Sequence, residues 1–127
     1  SNLTALENVS LPLELQRQKE AEPKARKELE RVGLSHRLSH LPSELSGGEC
    51  QRVALARAMV TKPSLILADE PSGNLDGKTG EEVMSLLFKL CAEHEQTLIL
   101  VTHNHKLAKL CDRCLELRDG RLHSTKK

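Results

Sequence analysis

The sequence predicts an α/β fold in which parallel strands alternate with helices. Two short apolar runs, residues 65–68 and 97–102, are typical of strands, and a helical pattern over 79–93 lies between them. Residues 98–101 are apolar at consecutive positions, which is typical of a strand covered on both faces. A third run, 114–117, predicts a thin sheet of three strands.

The first part of the chain is predicted to be helical and to contribute no strand. Its apolar residues begin at helical spacing: Leu3, Leu6, Val9 and Leu13. Three prolines are expected to divide it: Pro12, Pro23 and Pro42. Pro23 suits the first turn of a helix over 22–32, and Gly33 is placed to end that helix.

A longer helix is predicted over residues 46–60. Ser46 is a good N-cap, and Glu49 follows at the spacing of a capping box. Pro63 prevents continuation of the helix. Beyond the second strand, a short helix over 106–110 and a turn at 119–120 complete the prediction.

The composition argues against a nucleic-acid partner. The formal net charge is only +1, and Phe88 is the only aromatic residue, so both a basic surface and base-stacking side chains are missing. No apolar stretch approaches the length of a membrane span. The chain has the size of one domain, and the absence of an initial methionine predicts that it begins within a longer protein.

Residues 68–80, ADEPSGNLDGKTG, superficially resemble a phosphate-binding loop because they end in Gly-Lys-Thr. Such a loop requires four residues between its glycines, whereas Gly73 and Gly77 are separated by three. Asp76 would also repel a phosphate at short range. Gly77, Lys78 and Thr79 are therefore predicted only to begin the next helix.

Two carboxylates follow the first predicted strand, at the end where open α/β sheets bind ligands. Asp69 is placed to hold Mg²⁺ through water, and Glu70 to polarise an attacking water. The alternative is that both are solvated acids at the end of a strand.

Five segments occur in a fixed order, and together they resemble the C-terminal part of an ABC transporter ATPase. They are LSGGE at 45–49, QR at 51–52, LILADEP at 65–71, SGNLD at 72–76 and VTH at 101–103. The resemblance implies a P-loop NTPase fold without its Walker A half. Residues 1–45 would then belong to the helical subdomain, and residues 46–127 to the ATPase core.

The resemblance also implies roles for individual residues. Asp69 would close the Walker B strand and bind Mg²⁺ through water, Glu70 would be the catalytic glutamate, and His103 the switch histidine. His103 follows the second predicted strand, so it is expected at the same carboxyl edge, near Asp69 and Glu70. The ATP of an opposite protomer would be contacted by the signature and the D-loop: Ser46, Gly47, Gly48, Glu49 and Asp76. A Ser-Gly-Gly turn at a helix start offers a hydroxyl, free N–H groups and a positive dipole end to a phosphate.

Three stretches, 3–9, 71–76 and 117–121, are similar to the lipoprotein-releasing and macrolide-exporter-like branch of the family. This resemblance implies a homodimer bound to integral membrane permease subunits, and a cytoplasmic protein held peripherally at the inner face of the membrane. The surface of residues 1–45 would face the permease.

The family's Walker A loop, adenine-stacking aromatic residue and glutamine loop have no counterpart in these residues, so the chain alone is expected not to hydrolyse ATP. A non-catalytic interaction module is the alternative function. Another alternative is a zinc site closed by His103, His105, Cys111 and Cys114. Strands that lack their sheet neighbours are also expected to make the chain self-associate.

Overall fold

The computed structural model describes residues 2–125. The predicted segments 1–45 and 46–127 include three residues outside this range: Ser1, Lys126 and Lys127. The elements in chain order are α1 (Ala5–Leu15), α2 (Ala21–Arg31), a 3₁₀ turn (Pro42–Glu44), α3 (Gly47–Met59), β1 (Leu65–Asp69), α4 (Gly77–Glu93), β2 (Thr97–Val101), α5 (His105–Ala108), β3 (Leu115–Arg118) and β4 (Arg121–Ser124). Within residues 2–125 no helix has both the length and the apolar character needed to cross a membrane.

The first helix contains a proline that was expected to divide the segment. That expectation was wrong, because Pro12 lies inside α1 and the helix continues to Leu15. The ring removes one N–H donor, but Val9 and Leu13 are completely buried around it, and this burial holds the turn in place. The second predicted helix is confirmed as α2, and Gly33 follows it at a φ of +76°.

One hydrophobic core extends through both predicted segments. Its fully buried large side chains come from α1, α2, α3, α4 and the residues after α2: Leu13, Leu29, Leu34, Met59, Met84 and Leu90. The boundary between residues 45 and 46 stays a prediction.

The parallel pairing of the first two strands is confirmed. β1 and β2 pair in the register Leu65↔Thr97 through Asp69↔Val101, with α4 as the crossover between them. This register brings the carboxyl ends of both strands to the same edge of the sheet.

The third strand does not join this sheet, and the prediction of a three-stranded parallel sheet was wrong. β3 pairs antiparallel with β4. The strands are joined only by Asp119 and Gly120, whose φ values are +49° and +74°. Two left-handed residues form a tight hairpin turn, and a parallel pairing would require a long crossover.

One face of the β1–β2 sheet is uncovered in the described chain, contrary to the expectation that residues 98–101 are covered on both faces. Ile66 is 5% exposed, whereas the adjacent Leu67 is 72% exposed. On β2, Ile99 and Val101 are exposed on the same alternating pattern. We call Leu65, Leu67, Ile99 and Val101 the open sheet face.

Candidate functional site

The start of α3 is a closed capping box, as predicted. The Ser46 hydroxyl accepts the N–H of Glu49 at 3.2 Å, and Oε2 of Glu49 accepts the N–H of Ser46 at 2.9 Å. Nε of Arg37 donates to the other oxygen, Oε1, at 3.1 Å. The bond from the Ser46 N–H lowers the pKa of Glu49 more than burial raises it, and Arg37 lowers it further. We call residues 46–49 the signature turn.

Both glycines of the signature turn are in close contact with the segment that leads into α4. A Cβ added at Gly48 would lie 2.5 Å from Cγ2 of Thr79, and one at Gly47 would lie 3.3 Å from Cδ2 of Leu75. Gly48 is buried, while Ser46 and Gly47 are exposed. The signature turn therefore rests on residues 75–79 and still presents its first two residues to solvent.

The predicted false phosphate loop is the start of α4, although the helix begins at Gly77, two residues earlier than predicted. Asp76 is its N-cap, and its Oδ1 accepts the N–H of Thr79 at 3.1 Å. The hydrogen bonds from Thr79 lower the pKa of Asp76. The Gly-Lys-Thr sequence forms the first turn of α4.

The two predicted carboxylates lie at the end of β1. Asp69 is the last strand residue, opposite Val101, and its side chain is exposed. Glu70 leaves the strand at a φ of +43°, while its N–H still donates to the Val101 carbonyl at 2.9 Å. This last bond fixes the backbone of Glu70 against β2 in spite of its left-handed conformation.

The Glu70 carboxylate is held by the turn that follows β2. Its Oε1 accepts the backbone N–H of His103 and, from the ring, Nδ1–H, each at 2.7 Å. Its Oε2 accepts the hydroxyl of Thr102 at 3.3 Å. Partial burial raises the pKa of Glu70, but these hydrogen bonds together outweigh it, so the pKa lies below its ordinary value. We call Asp69, Glu70, Thr102 and His103 the carboxylate edge.

This geometry shows which ring nitrogen of His103 donates to Glu70. An ionised carboxylate only accepts hydrogen bonds, so Nδ1 of His103 carries a proton. The ring is 86% exposed, and Nε2 is not used in this pair. The sequence predicted that Glu70 and His103 would be neighbours, but the contribution of Thr102 was missed, because a threonine at a strand end has no distinctive pattern.

A cleft joins the carboxylate edge to residues 75–76, beside the start of α4. The cleft has a volume of about 500 Å³ and is lined by Leu75, Asp76, His103 and Lys106, among others. Asp76 and His103 therefore share one accessible space beside the N-terminus of α4.

The chain has no preformed cluster of metal ligands among residues 2–125. The four residues of the zinc alternative, His103, His105, Cys111 and Cys114, are not brought together as such a group. The exposed carboxylate of Asp69 fits Mg²⁺, which keeps several waters and takes only one or two protein carboxylates beside the phosphates of its substrate.

Comparison with known proteins identifies the family of the chain. A family profile described as ABC transporter matches residues 1–73. The uncharacterized ABC transporter ATP-binding protein YbbA of Escherichia coli K12 is 55% identical over 122 residues, covering 94% of this chain and 54% of YbbA. The lipoprotein-releasing system ATP-binding protein LolD of Hydrogenovibrio crunogenus is 53% identical over 120 residues, covering 93% and 52%. The chain thus spans about half the length of these relatives.

The fold of the described residues also matches part of the fold of solved ABC transporter cassettes. The dimeric structure of MJ0796, a bacterial ABC transporter cassette, superposes with a TM-score of 0.80 at 41% identity, over 99% of this chain and 58% of MJ0796. A second structure of MJ0796, described as a dimeric post-hydrolysis state bound to ADP and Pi, gives the same values. The described residues therefore form part of the fold of an ABC ATPase cassette.

Proposed function

Because the chain belongs to the ABC transporter family of ATP-binding proteins, we propose that it is part of a subunit that binds and hydrolyses ATP to drive transport, of the lipoprotein-releasing type. The observation that carries this proposal is the Glu70 carboxylate. It lies at the carboxyl end of a parallel strand and is fixed by hydrogen bonds from Thr102 and His103.

The carboxylate edge provides the groups for hydrolysis. Mg²⁺ bound with ATP would neutralise charge on the phosphates. Asp69 would hold that ion through water, and Glu70, kept ionised by its hydrogen bonds, would orient and polarise the attacking water. Positioning of this kind suits phosphoryl transfer, where the protein does little covalent chemistry.

His103 would register the terminal phosphate. Nδ1–H is donated to Glu70, so Nε2 is the ring nitrogen left for a phosphate oxygen. A phosphate oxygen can accept a hydrogen bond from a protonated Nε2, or from Nδ1–H after the ring has left Glu70. Either arrangement would link the state of the phosphate to the freedom of the Glu70 carboxylate.

The signature turn would bind the ATP held by a second protomer. Ser46 and Gly47 are exposed at the positive end of α3, where a hydroxyl and backbone N–H groups suit a phosphate. Glu49 faces Ser46 and Arg37, so it would serve ATP by fixing the turn. Asp76 would act similarly, by capping α4 beside the shared cleft.

The partners follow from the same assignment. We propose a homodimer attached to integral membrane permease subunits, at the cytoplasmic face of the membrane, with residues 1–45 toward the permease. The dimeric cassette of MJ0796 supports the first partner, and the similarity to LolD supports the lipoprotein-releasing type. The absence of a nucleic-acid partner stays a prediction.

We also propose that residues 1–127 by themselves do not hydrolyse ATP and instead serve as an interaction module. The Gly-Lys-Thr sequence of this chain is the first turn of α4, capped by the Asp76 carboxylate, and so does not provide a phosphate cradle.

The test is steady-state hydrolysis of Mg-ATP by the full-length protein, with residues 1–127 assayed beside it. Glu70→Gln keeps the size of the side chain and removes its charge, so hydrolysis should fall by a factor of about 10²–10⁴. Glu82→Gln, at an exposed position on α4, is the matched control and should hydrolyse ATP like the wild type. A Glu70→Gln protein as active as the wild type would refute the assignment, and so would a wild type without activity.

A further inference from the structure

Thr102 connects the two halves of the carboxylate edge, which are Asp69 and Glu70 at the end of β1 and Thr102 and His103 after β2. It follows β2 directly, is partly buried, and its Oγ1 lies 3.3 Å from Oε2 of Glu70. The same Oγ1 accepts the backbone N–H of Asn104 at 3.1 Å. A single hydroxyl therefore connects the carboxylate to the turn that carries the histidine.

The direction of these two hydrogen bonds is determined by their partners. An amide N–H can only donate, so Oγ1 is the acceptor toward Asn104. A carboxylate can only accept, so the hydroxyl proton of Thr102 points to Glu70. Asn104 is itself fixed, because its side chain caps α5 by accepting the N–H of Lys106 at 2.9 Å. The hydroxyl is thus oriented before any ligand arrives.

The two oxygens of Glu70 have different environments. Oε1 takes both hydrogen bonds from His103, whereas Oε2 takes the bond from Thr102. The carboxylate side chain is 35% exposed, so the few bonds it makes decide its orientation. If the His103 ring turns to a phosphate, Oε1 loses Nδ1–H and keeps the backbone N–H of His103, while Oε2 keeps the hydroxyl of Thr102.

We propose that Thr102 is a positioning residue for ATP hydrolysis: its hydroxyl anchors Oε2 of Glu70, so that Oε1 can exchange the His103 ring for the attacking water. The proposal rests on the proposed function of Glu70. It assigns separate tasks to the two carboxylate oxygens, anchoring and water polarisation.

The test compares Thr102→Val with Thr102→Ser in the full-length protein. Valine keeps the shape and removes the hydroxyl, so kcat should fall about 10- to 100-fold, the loss typical of one hydrogen bond to a charged group, while KM for ATP changes less than about 2-fold. Serine restores the donor and should return kcat to within about 3-fold of the wild type. Thr97→Val, at the exposed start of the same strand, is the matched control and should be unchanged.

The outcomes separate the inference from the proposed function. A Thr102→Val protein with wild-type kcat, measured beside an inactive Glu70→Gln protein, would overturn the role of Thr102 alone. Should Thr102→Val fold poorly, Thr102→Cys, which keeps the size with a much weaker donor, carries the same expectation. A loss of kcat that serine does not restore, or an equal rise in KM, would also contradict the proposal.

Discussion

The signature turn and the carboxylate edge are built in opposite ways. The bonds that close the turn join Ser46 and Glu49, three residues apart, and only Arg37 comes from outside. The edge joins Glu70 to residues 32 and 33 positions further along the chain. The turn is encoded locally, whereas the edge exists only because β1 and β2 pair in one particular register.

Because of this difference, we expect substitutions in the signature turn to affect mainly the stability of the fold, and substitutions at the carboxylate edge to affect mainly ATP hydrolysis. Changes in the signature turn remove helix caps or glycine contacts, and should lower the free energy of unfolding. Changes at the exposed tips of the carboxylate edge remove groups that face the proposed substrate, and should alter hydrolysis without altering the fold.

Gly48→Ala should disturb the turn most. The added methyl group would lie 2.5 Å from Cγ2 of Thr79, so the Thr79 side chain or one of the two helices must shift. Gly77→Ala is the matched control, because a Cβ at that helical glycine meets nothing within 4 Å. Both changes gain the same helix propensity, so Gly48→Ala should be less stable than Gly77→Ala by about 1–3 kcal/mol in urea unfolding.

A second substitution identifies the contact. Thr79→Ser removes the methyl group that meets the new Cβ, so Gly48→Ala should cost less in that background than in the wild type. Equal stability of the two alanine variants, or no relief from Thr79→Ser, would show that Gly48 is not held by this contact.

Ser46→Ala should have a smaller effect. It removes the hydroxyl that accepts the Glu49 N–H, and loss of an N-cap of this kind costs about 1 kcal/mol. Ser85→Ala, on the exposed side of α4, lacks a capping role and should be neutral or slightly stabilising in thermal unfolding. If both serine variants unfold alike, the turn is not stabilised by its cap.

The open sheet face supports the strands that carry the carboxylate edge, and it should make residues 1–127 self-associate. Leu67→Thr introduces a β-branched residue suitable for a strand and removes apolar surface, so it should lower the weight-average mass measured by sedimentation. Leu15→Thr, at an equally exposed leucine at the end of α1, should leave the mass unchanged. A wild-type chain that sediments as a monomer would refute this prediction.

The smallest expected effect is on the pH dependence of stability. Glu49 has its pKa lowered in the folded protein, mainly by the Ser46 N–H. Its contribution is therefore present above the ordinary value of 4.5 and is lost as the pH falls through the lowered folded value. Glu49→Gln should flatten the acid side of the stability profile. A mutant profile parallel to that of the wild type would mean that the box does not favour the ionised form.

The sequence alone predicted those parts of the site in which the interacting residues lie close together in the chain. Ser46 and Glu49 stood at capping-box spacing, and the structure confirms the box. The strand ends also placed Glu70 near His103 correctly, because parallel strands share their carboxyl edge. Thr102 and Thr79 were missed, since their importance comes from single contacts across the fold that residue type does not indicate.

Two predictions about the fold were wrong because each depended on a feature that the local sequence pattern does not show. The continuation of α1 through Pro12 depends on long-range packing, and the pairing of β3 with β4 depends on turn geometry. The left-handed pair at Asp119 and Gly120 was recognised as a turn, yet the strand after it was not, because Arg121 and His123 give β4 a polar appearance.

The contact between Glu70 and His103 joins β1 to the turn after β2, and nitrogen NMR of the His103 ring can detect it. In the wild-type protein Nδ1 should be protonated and hydrogen-bonded, since it lies 2.7 Å from Oε1 of Glu70. Glu70→Ala removes the acceptor and should shift the Nδ1 resonance, whereas Glu82→Ala, at an exposed position on α4, should not. Identical His103 spectra in the wild type and Glu70→Ala would contradict the account, because the register of β1 and β2 would then not have joined the two halves of the carboxylate edge.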